Sequence, residues 1–96
     1  MARVFRSERA QQDLEEVLHY LDRQSTWAAD RFAAILDGKC EVHAMHPQLG
    51  ESCEDLFPNL KHFTDWNYAI FYRPIIEGIE LVRVIHGARD LPRIFE

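Results

Sequence analysis

The fold is decided near the end of the chain, in residues 80–95, "ELVRVIHGARDLPRIF". Residues 80–86 carry the β-branched and apolar content of a strand, Gly87 allows a sharp turn, and Ala88-Arg89-Asp90 precede a short apolar tail. Working back towards the start, "YAIFYR" (68–73) and "LKHFT" (60–64) repeat the strand period, and "PIIEG" (74–78) supplies the turn into the last strand. These segments predict a three-stranded antiparallel meander. Along its last strand Ile79, Leu81, Arg83 and Ile85 alternate with Glu80, Val82, Val84 and His86. Each face is therefore mainly apolar with one or two polar interruptions, as in a sheet covered fully on one side and partly on the other.

The first half of the chain has a different period. "ARVFR" (2–6) reads as a short strand, and Ser7 as the N-cap of a helix with Glu8 in its first turn. Ala10, Leu14, Val17, Leu18 and Leu21 recur at helical spacing, with Asp13, Glu15, Glu16 and Asp22 between them. "RQST" interrupts, and Ser25 or Thr26 can cap a second helix that runs to about Met45 before Pro47 stops it. Its apolar stripe is expected from Ala28, Ala29, Phe32, Ile35, Leu36, Val42 and Met45, and Gly38 within it suggests a close helix approach. "HPQLGESCEDLFPN" (46–59) reads as the one extended loop. The order strand, helix, helix, meander predicts one α+β domain over residues 1–96, with an antiparallel sheet and a two-helix hairpin packed on one face.

Composition narrows the function. The chain has 96 residues, 47% of them hydrophobic, which suits a single globular core and not a disordered chain. No apolar run reaches roughly 18 residues, and "MARVFRSERA" is charged where a secretory leader is apolar, so a soluble cytoplasmic protein is expected. In that compartment Cys40 and Cys53 are expected to be thiols. The net charge is −5, and the acidic excess lies in residues 1–60. Independent nucleic-acid binding through a clustered basic surface is not expected.

Several side chains could carry chemistry. Arg89, after the strand-ending glycine, can grip a phosphate or a partner carboxylate, or can pair locally with Asp90 or a helix acid. Cys40, His43 and His46 share spacings of three residues, but the outer two are not on one helix face and no fourth ligand is placed. No metal is expected, and these histidines read as solvated or helix-terminal. His86 reads as a strand-end residue, with an acid–base role beside Arg89 as the alternative. Trp27 and Trp66 read as core or rim aromatics.

Four motifs in order, "AADRF" (28–32), "HPQLG" (46–50), "IFYRP" (70–74) and "HGARD" (86–90), give the chain its resemblance to a known family. From "DLEEVLHYL" to "LPRIF" it resembles the ParE/RelE superfamily of type II toxins. The resemblance implies a small α+β toxin held inactive by an antitoxin whose C-terminal segment wraps it. RelE-like members cut mRNA on the ribosome, and ParE-like members inhibit DNA gyrase and trap it on cleaved DNA.

RNA cleavage needs several basic or titratable groups around one phosphate. In the RelE-like branch these are an arginine opening the third strand, an arginine after the strand-ending glycine, a tyrosine in the tail and lysines flanking the second strand. Here Ala69, Arg89, Phe95, and Leu60 with His62 stand at those places, so only Arg89 matches. A ribonuclease would have to rely on Arg89, His86 and Lys61. ParE-like relatives often carry arginines in the loop and before the second strand, where this chain has Cys53 and Lys61. The similarity is closer to the ParE-like branch. It implies inhibition by binding without a cofactor, a cognate ParD-like antitoxin and DNA gyrase as partners, and contacts through Arg83, Arg89, Asp90, Leu91, Ile94 and Phe95.

Overall fold

In the computed structural model of the chain, which describes residues 2–87, seven elements follow one another. They are β1 (Arg3–Arg6), α1 (Glu8–Gln24), α2 (Thr26–Met45), β2 (Glu51–Ser52), β3 (Lys61–Asp65), β4 (Tyr68–Ile75) and β5 (Gly78–His86). The class is the expected α+β, with the helical hairpin on one face of the sheet.

The caps fall where the sequence puts them. Ser7 is extended, and its Oγ accepts from the Ala10 N–H at 3.0 Å, which satisfies one of the orphan donors at the start of α1. Ser25 serves both helices. Its backbone N–H donates to the Leu21 carbonyl to close α1, and its Oγ accepts from the Ala28 N–H to open α2. One extended residue thus makes the hairpin, with no linker between the helices.

The sheet has the order β1-β5-β4-β3-β2. Strands β3, β4 and β5 form the expected antiparallel meander. The sheet as a whole is mixed, because β1 joins β5 in parallel, from Arg3↔Gly78 to Arg6↔Leu81. Gly78 makes this possible. Its φ is +151°, and a Cβ there would collide with the Arg3 carbonyl oxygen, so only glycine lets β1 approach so closely. The second addition is β2, which forms inside the expected loop and pairs only at Glu51↔His62 and Ser52↔Lys61.

A bulge resolves how β5 serves two faces. Phe71 is opposite Arg83 while Tyr72 is opposite Leu81, so β5 has one extra residue at Val82. An extra residue reverses which side chains point to which face. The strict alternation expected along this strand therefore breaks: Ile79, Leu81 and Val84 join the helix-side core, and Ile85 joins the opposite one with Val82 packed against it. The bulge is tied to the start of α1, since Ser7 Oγ donates to the Val82 carbonyl at 3.0 Å.

The core has two parts. Between helices and sheet lie Leu14, Leu21, Phe32, Leu36, Phe63, Tyr72, Ile79 and Leu81 among others. On the far face Cys53, Leu60, Ala69, Phe71 and Ile85 form a smaller cluster, covered by the loop after β2. The far face is thus partly closed by the chain itself.

Helix α2 corrects four expectations. Val42 and Met45 are exposed, because the buried stripe runs Phe32, Leu36, Cys40, His43 and they lie round the helix from it. His43 lies in the last turn, as the helix-terminal reading has it, but is buried and not solvated. Its Nδ1–H donates to the Lys39 carbonyl at 2.7 Å, and its ring stacks on Phe63 with centroids 4.1 Å apart. Gly38 makes no close approach, since a Cβ there would meet nothing within 4 Å. Trp27, beside the start of the helix, is not a core residue and stands in solvent with the Arg31 guanidinium over its ring. Trp66, in the turn between β3 and β4, is exposed as well. No helix of the described residues is long and apolar enough to cross a membrane.

Candidate functional site

Of the residues singled out in the sequence, Arg83 has the most defined setting. Its Nε donates to Asp13 Oδ2 at 2.7 Å and its Nη2 to Asp13 Oδ1 at 3.3 Å. Asp13 Oδ2 also accepts the Val84 N–H at 3.0 Å. Both side chains are largely buried, so the guanidinium fork is engaged between α1 and β5 and not offered to a partner. Sequence reading placed Asp13 on the solvent face of α1. The available signal was Arg83 itself, a cation on an apolar strand that needs a buried acceptor.

Lys61 and His86 lie apart. Lys61 opens β3 opposite Tyr72, whereas His86 closes β5 opposite Tyr68. Four residues separate these positions along β4, about 13 Å at the rise of a strand. Lys61 donates to the Gly50 carbonyl at 3.4 Å, and His86 meets the Tyr68 ring edge to face at 5.4 Å. Arg89, Asp90, Leu91, Ile94 and Phe95 lie outside the described residues.

Other cations are also engaged locally. Arg73 pairs with Glu80 at 2.7 Å, Arg3 with Glu77 at 3.2 Å, and Lys39 Nζ donates to the Thr64 carbonyl at 2.6 Å. Among the described residues no group of three His, Cys, Asp or Glu side chains is arranged to hold a metal. Cys40 is buried in the helix-side core, where burial first and then the Asp37 carboxylate push its thiol up to about 12.

Two surfaces offer contact area instead. The first is a groove of about 460 Å³ between the second half of α2 and the outer edge of β3. Val42, Leu49 and Phe63 line it, and Val42 and Leu49 are about half exposed at 48% and 58%. Because β2 pairs only with Lys61 and His62, the edge of β3 from Phe63 onward has no strand beside it among the described residues. The floor is rigid: the Tyr72 hydroxyl donates to the Pro47 carbonyl at 2.8 Å and accepts from the Gly50 N–H at 2.9 Å.

The second surface lies by the turn between β3 and β4, where Tyr20, Trp66, Tyr68 and His86 surround a cleft of about 450 Å³. Trp66 adopts φ +58°, a left-handed conformation costly for a large aromatic residue. The turn is held by the Gly87 N–H donating to the Asn67 carbonyl at 2.8 Å. The limits of both surfaces are not legible in the sequence, since each depends on where β2 and the turn after β3 stop.

The family described as "ParE toxin of type II toxin-antitoxin system, parDE" matches residues 4–91 of this sequence. The chain belongs to the ParE toxin family. "Toxin ParE1" of Mycobacterium tuberculosis is 30% identical over 94 residues, which cover 96% of each chain. "Toxin ParE1" of Caulobacter vibrioides is 28% identical over 87 residues, 88% of each. Among solved structures, a chain of the "Chromosomal ParDE TA system from P. aeruginosa" aligns with a TM-score of 0.70 at 16% identity, covering 90% of this chain and 96% of that one. The likeness to that chain is one of fold. In this ParE-family toxin, then, most of the described cations are paired locally, while Val42 and Leu49 at the groove and Tyr20 and Trp66 at the cleft offer exposed apolar area.

Proposed function

We propose that this ParE-family toxin acts by binding, inhibiting DNA gyrase in the cytoplasm, and that a ParD-like antitoxin neutralises it. The observation that supports binding over RNA cleavage is the separation of Lys61 from His86, with Arg83 locked on Asp13. Cleavage needs groups converging on one phosphate, and these do not converge. In the tail, Arg89 supplies a charge-assisted contact to the target, Asp90 flanks it, and Leu91, Ile94 and Phe95 provide an apolar anchor.

The antitoxin's occupancy follows from the groove. An extended or amphipathic segment can place apolar side chains against Val42 and Leu49 while its backbone meets the free edge of β3. The acidic excess of residues 1–60 favours a basic segment and an association rate that falls with salt.

Purified toxin added to gyrase should stop supercoiling and leave enzyme held on broken DNA, with translation initially normal. Arg89→Ala should weaken growth inhibition, and removing the residues after Asp90 should weaken it further. Val42→Asp should lower antitoxin affinity by about tenfold or more while leaving the fold intact. Codon-periodic mRNA cleavage on ribosomes, with supercoiling unaffected, would overturn the reading.

A further inference from the structure

At the rim of the groove, which Glu51 and His62 also line, the loop after β2 brings a nucleophile to a base. Cys53 Sγ lies 2.9 Å from Nδ1 of His62 on β3. Glu51 is the cross-strand partner of His62, and its Oε2 stands 3.8 Å from His62 Nε2. Thiol and imidazole are therefore in the contact that lets a base take the proton of a sulfur nucleophile, with the exposed Glu51 carboxylate near the ring but beyond hydrogen-bond reach. Cross-strand register sets the second contact, and the turn into the loop sets the first.

We propose that Cys53 is a modification site, a thiol activated by His62 that forms mixed disulfides with low-molecular-weight disulfides. As Sγ attacks one sulfur of the small disulfide, its proton passes to His62 Nδ1. The S–S bond of the reagent breaks, and its electron pair leaves on the second sulfur, which takes the proton from the imidazolium. Cys53 is oxidised to the mixed disulfide, and the departing half of the reagent is reduced to a thiol.

The resting sulfur is a thiol. Burial, then Asp55 and Glu51, push the Cys53 thiol up, with Lys61 opposing them. Sγ–H has Nδ1 of His62 at 2.9 Å as its near acceptor and the Glu51 backbone carbonyl at 3.8 Å as its far one. The ring is also flanked by Phe71, centroids 5.7 Å apart. Activation occurs on attack and not by a standing thiolate, which makes His62 the determinant of rate.

Access runs through the loop. The bonds that shape it, Leu56 N–H to the Cys53 carbonyl at 2.9 Å and Leu60 N–H to the Phe57 carbonyl at 3.2 Å, are local. Such a segment can open while the sheet stays paired. An adduct on Sγ would then hold Leu56 and Leu60 away from Phe71 and expose the far face of the sheet.

Cys40 is the internal control, since it is equally buried but sits under the helices. The full chain is treated under native conditions with iodoacetamide, and separately with oxidised glutathione, and modification of each cysteine is followed by peptide mass mapping. Cys53 should react about tenfold or more faster than Cys40, and His62→Gln should slow Cys53 about tenfold without changing Cys40. Equal protection of the two thiols overturns the proposal, as does an unchanged Cys53 rate in a folded His62→Gln variant. Should that variant not fold, the pH profile of the unaltered chain decides. A Cys53 rate that rises well below the pH at which the thiol itself ionises supports the site, and one that rises only with thiol ionisation overturns it.

Discussion

The two faces of the sheet bury comparable side chains by different means. On the helix side, Phe32, Leu36 and Tyr72 are enclosed by two helices whose caps and backbone bonds hold them at fixed distance. On the far side, Leu60 and Phe71 are just as inaccessible, yet what covers them is an irregular loop turned back on itself. Equal burial does not mean equal resistance to change. A cavity costs most where the surroundings cannot move into it.

That contrast can be broken experimentally. The largest effect is expected at the joint between α1 and the sheet, where Asp13→Ala leaves the Arg83 guanidinium buried and unpaired. Chemical denaturation should register a loss of about 3–5 kcal/mol. A loss under about 1 kcal/mol would mean that Arg83 swings out to solvent and that the helix face is not rigid.

Next in size is a matched pair. Leu36 and Leu60 are 2% and 1% exposed. Leu36→Ala should cost about 4 kcal/mol and Leu60→Ala about 2–3 kcal/mol, because the loop can settle and the helices cannot. Equal values from denaturant melts would erase the distinction between the faces.

Smaller still is Tyr72→Phe, which keeps the ring in the helix-side core and removes two hydrogen bonds to residues 47–50. About 1–2 kcal/mol should be lost, and hydrogen exchange at Gly50 should accelerate.

The smallest effect depends on pH. Asp65 is 3% exposed, its Oδ2 has no hydrogen-bond partner among the described residues, and burial raises its pKa against the pull of Lys39 and Arg31. A carboxyl whose pKa is raised on folding binds its proton more readily in the folded chain. It therefore weakens the fold at neutral pH, and the penalty lifts as pH falls through the folded value. Asp65→Asn should raise the melting temperature at neutral pH, and the gain over the unaltered chain should shrink towards acid. A gain that grows on acidification would contradict the assignment.

Much of the architecture was legible in the sequence because it rests on local signals. Ser7 and Ser25 mark helix starts by their own hydrogen bonds, Pro47 prevents the continuation of α2, and the period of two identifies three strands. What stayed hidden depends on contacts between distant residues. The parallel pairing of β1 requires Gly78, whose role appears only once Arg3 lies against it. The bulge at Val82 reverses the facing of β5, and no periodicity of the strand alone predicts where it falls. Asp13 looked like one acid among several on α1 until Arg83 was placed opposite.

The candidate site was less legible than the fold for the same reason. Val42 was assigned to the core from spacing alone, whereas the stripe that includes Cys40 and His43 leaves it at the groove. Cys53 and His62 lie nine positions apart in sequence, and only the short pairing of β2 with β3 joins them.

The pairing of Arg3 with Gly78 also fixes an order of events during synthesis. The strand made first has its partner in β5, and Ser7 must wait for Val82, 75 residues later. The helical hairpin can collapse early on its own local contacts, but β1 stays unmatched until the last strand emerges. The growing chain therefore completes this sheet only after β5 has been made, and a truncated product lacking β5 would leave both its first strand and its helix-side core without a seat.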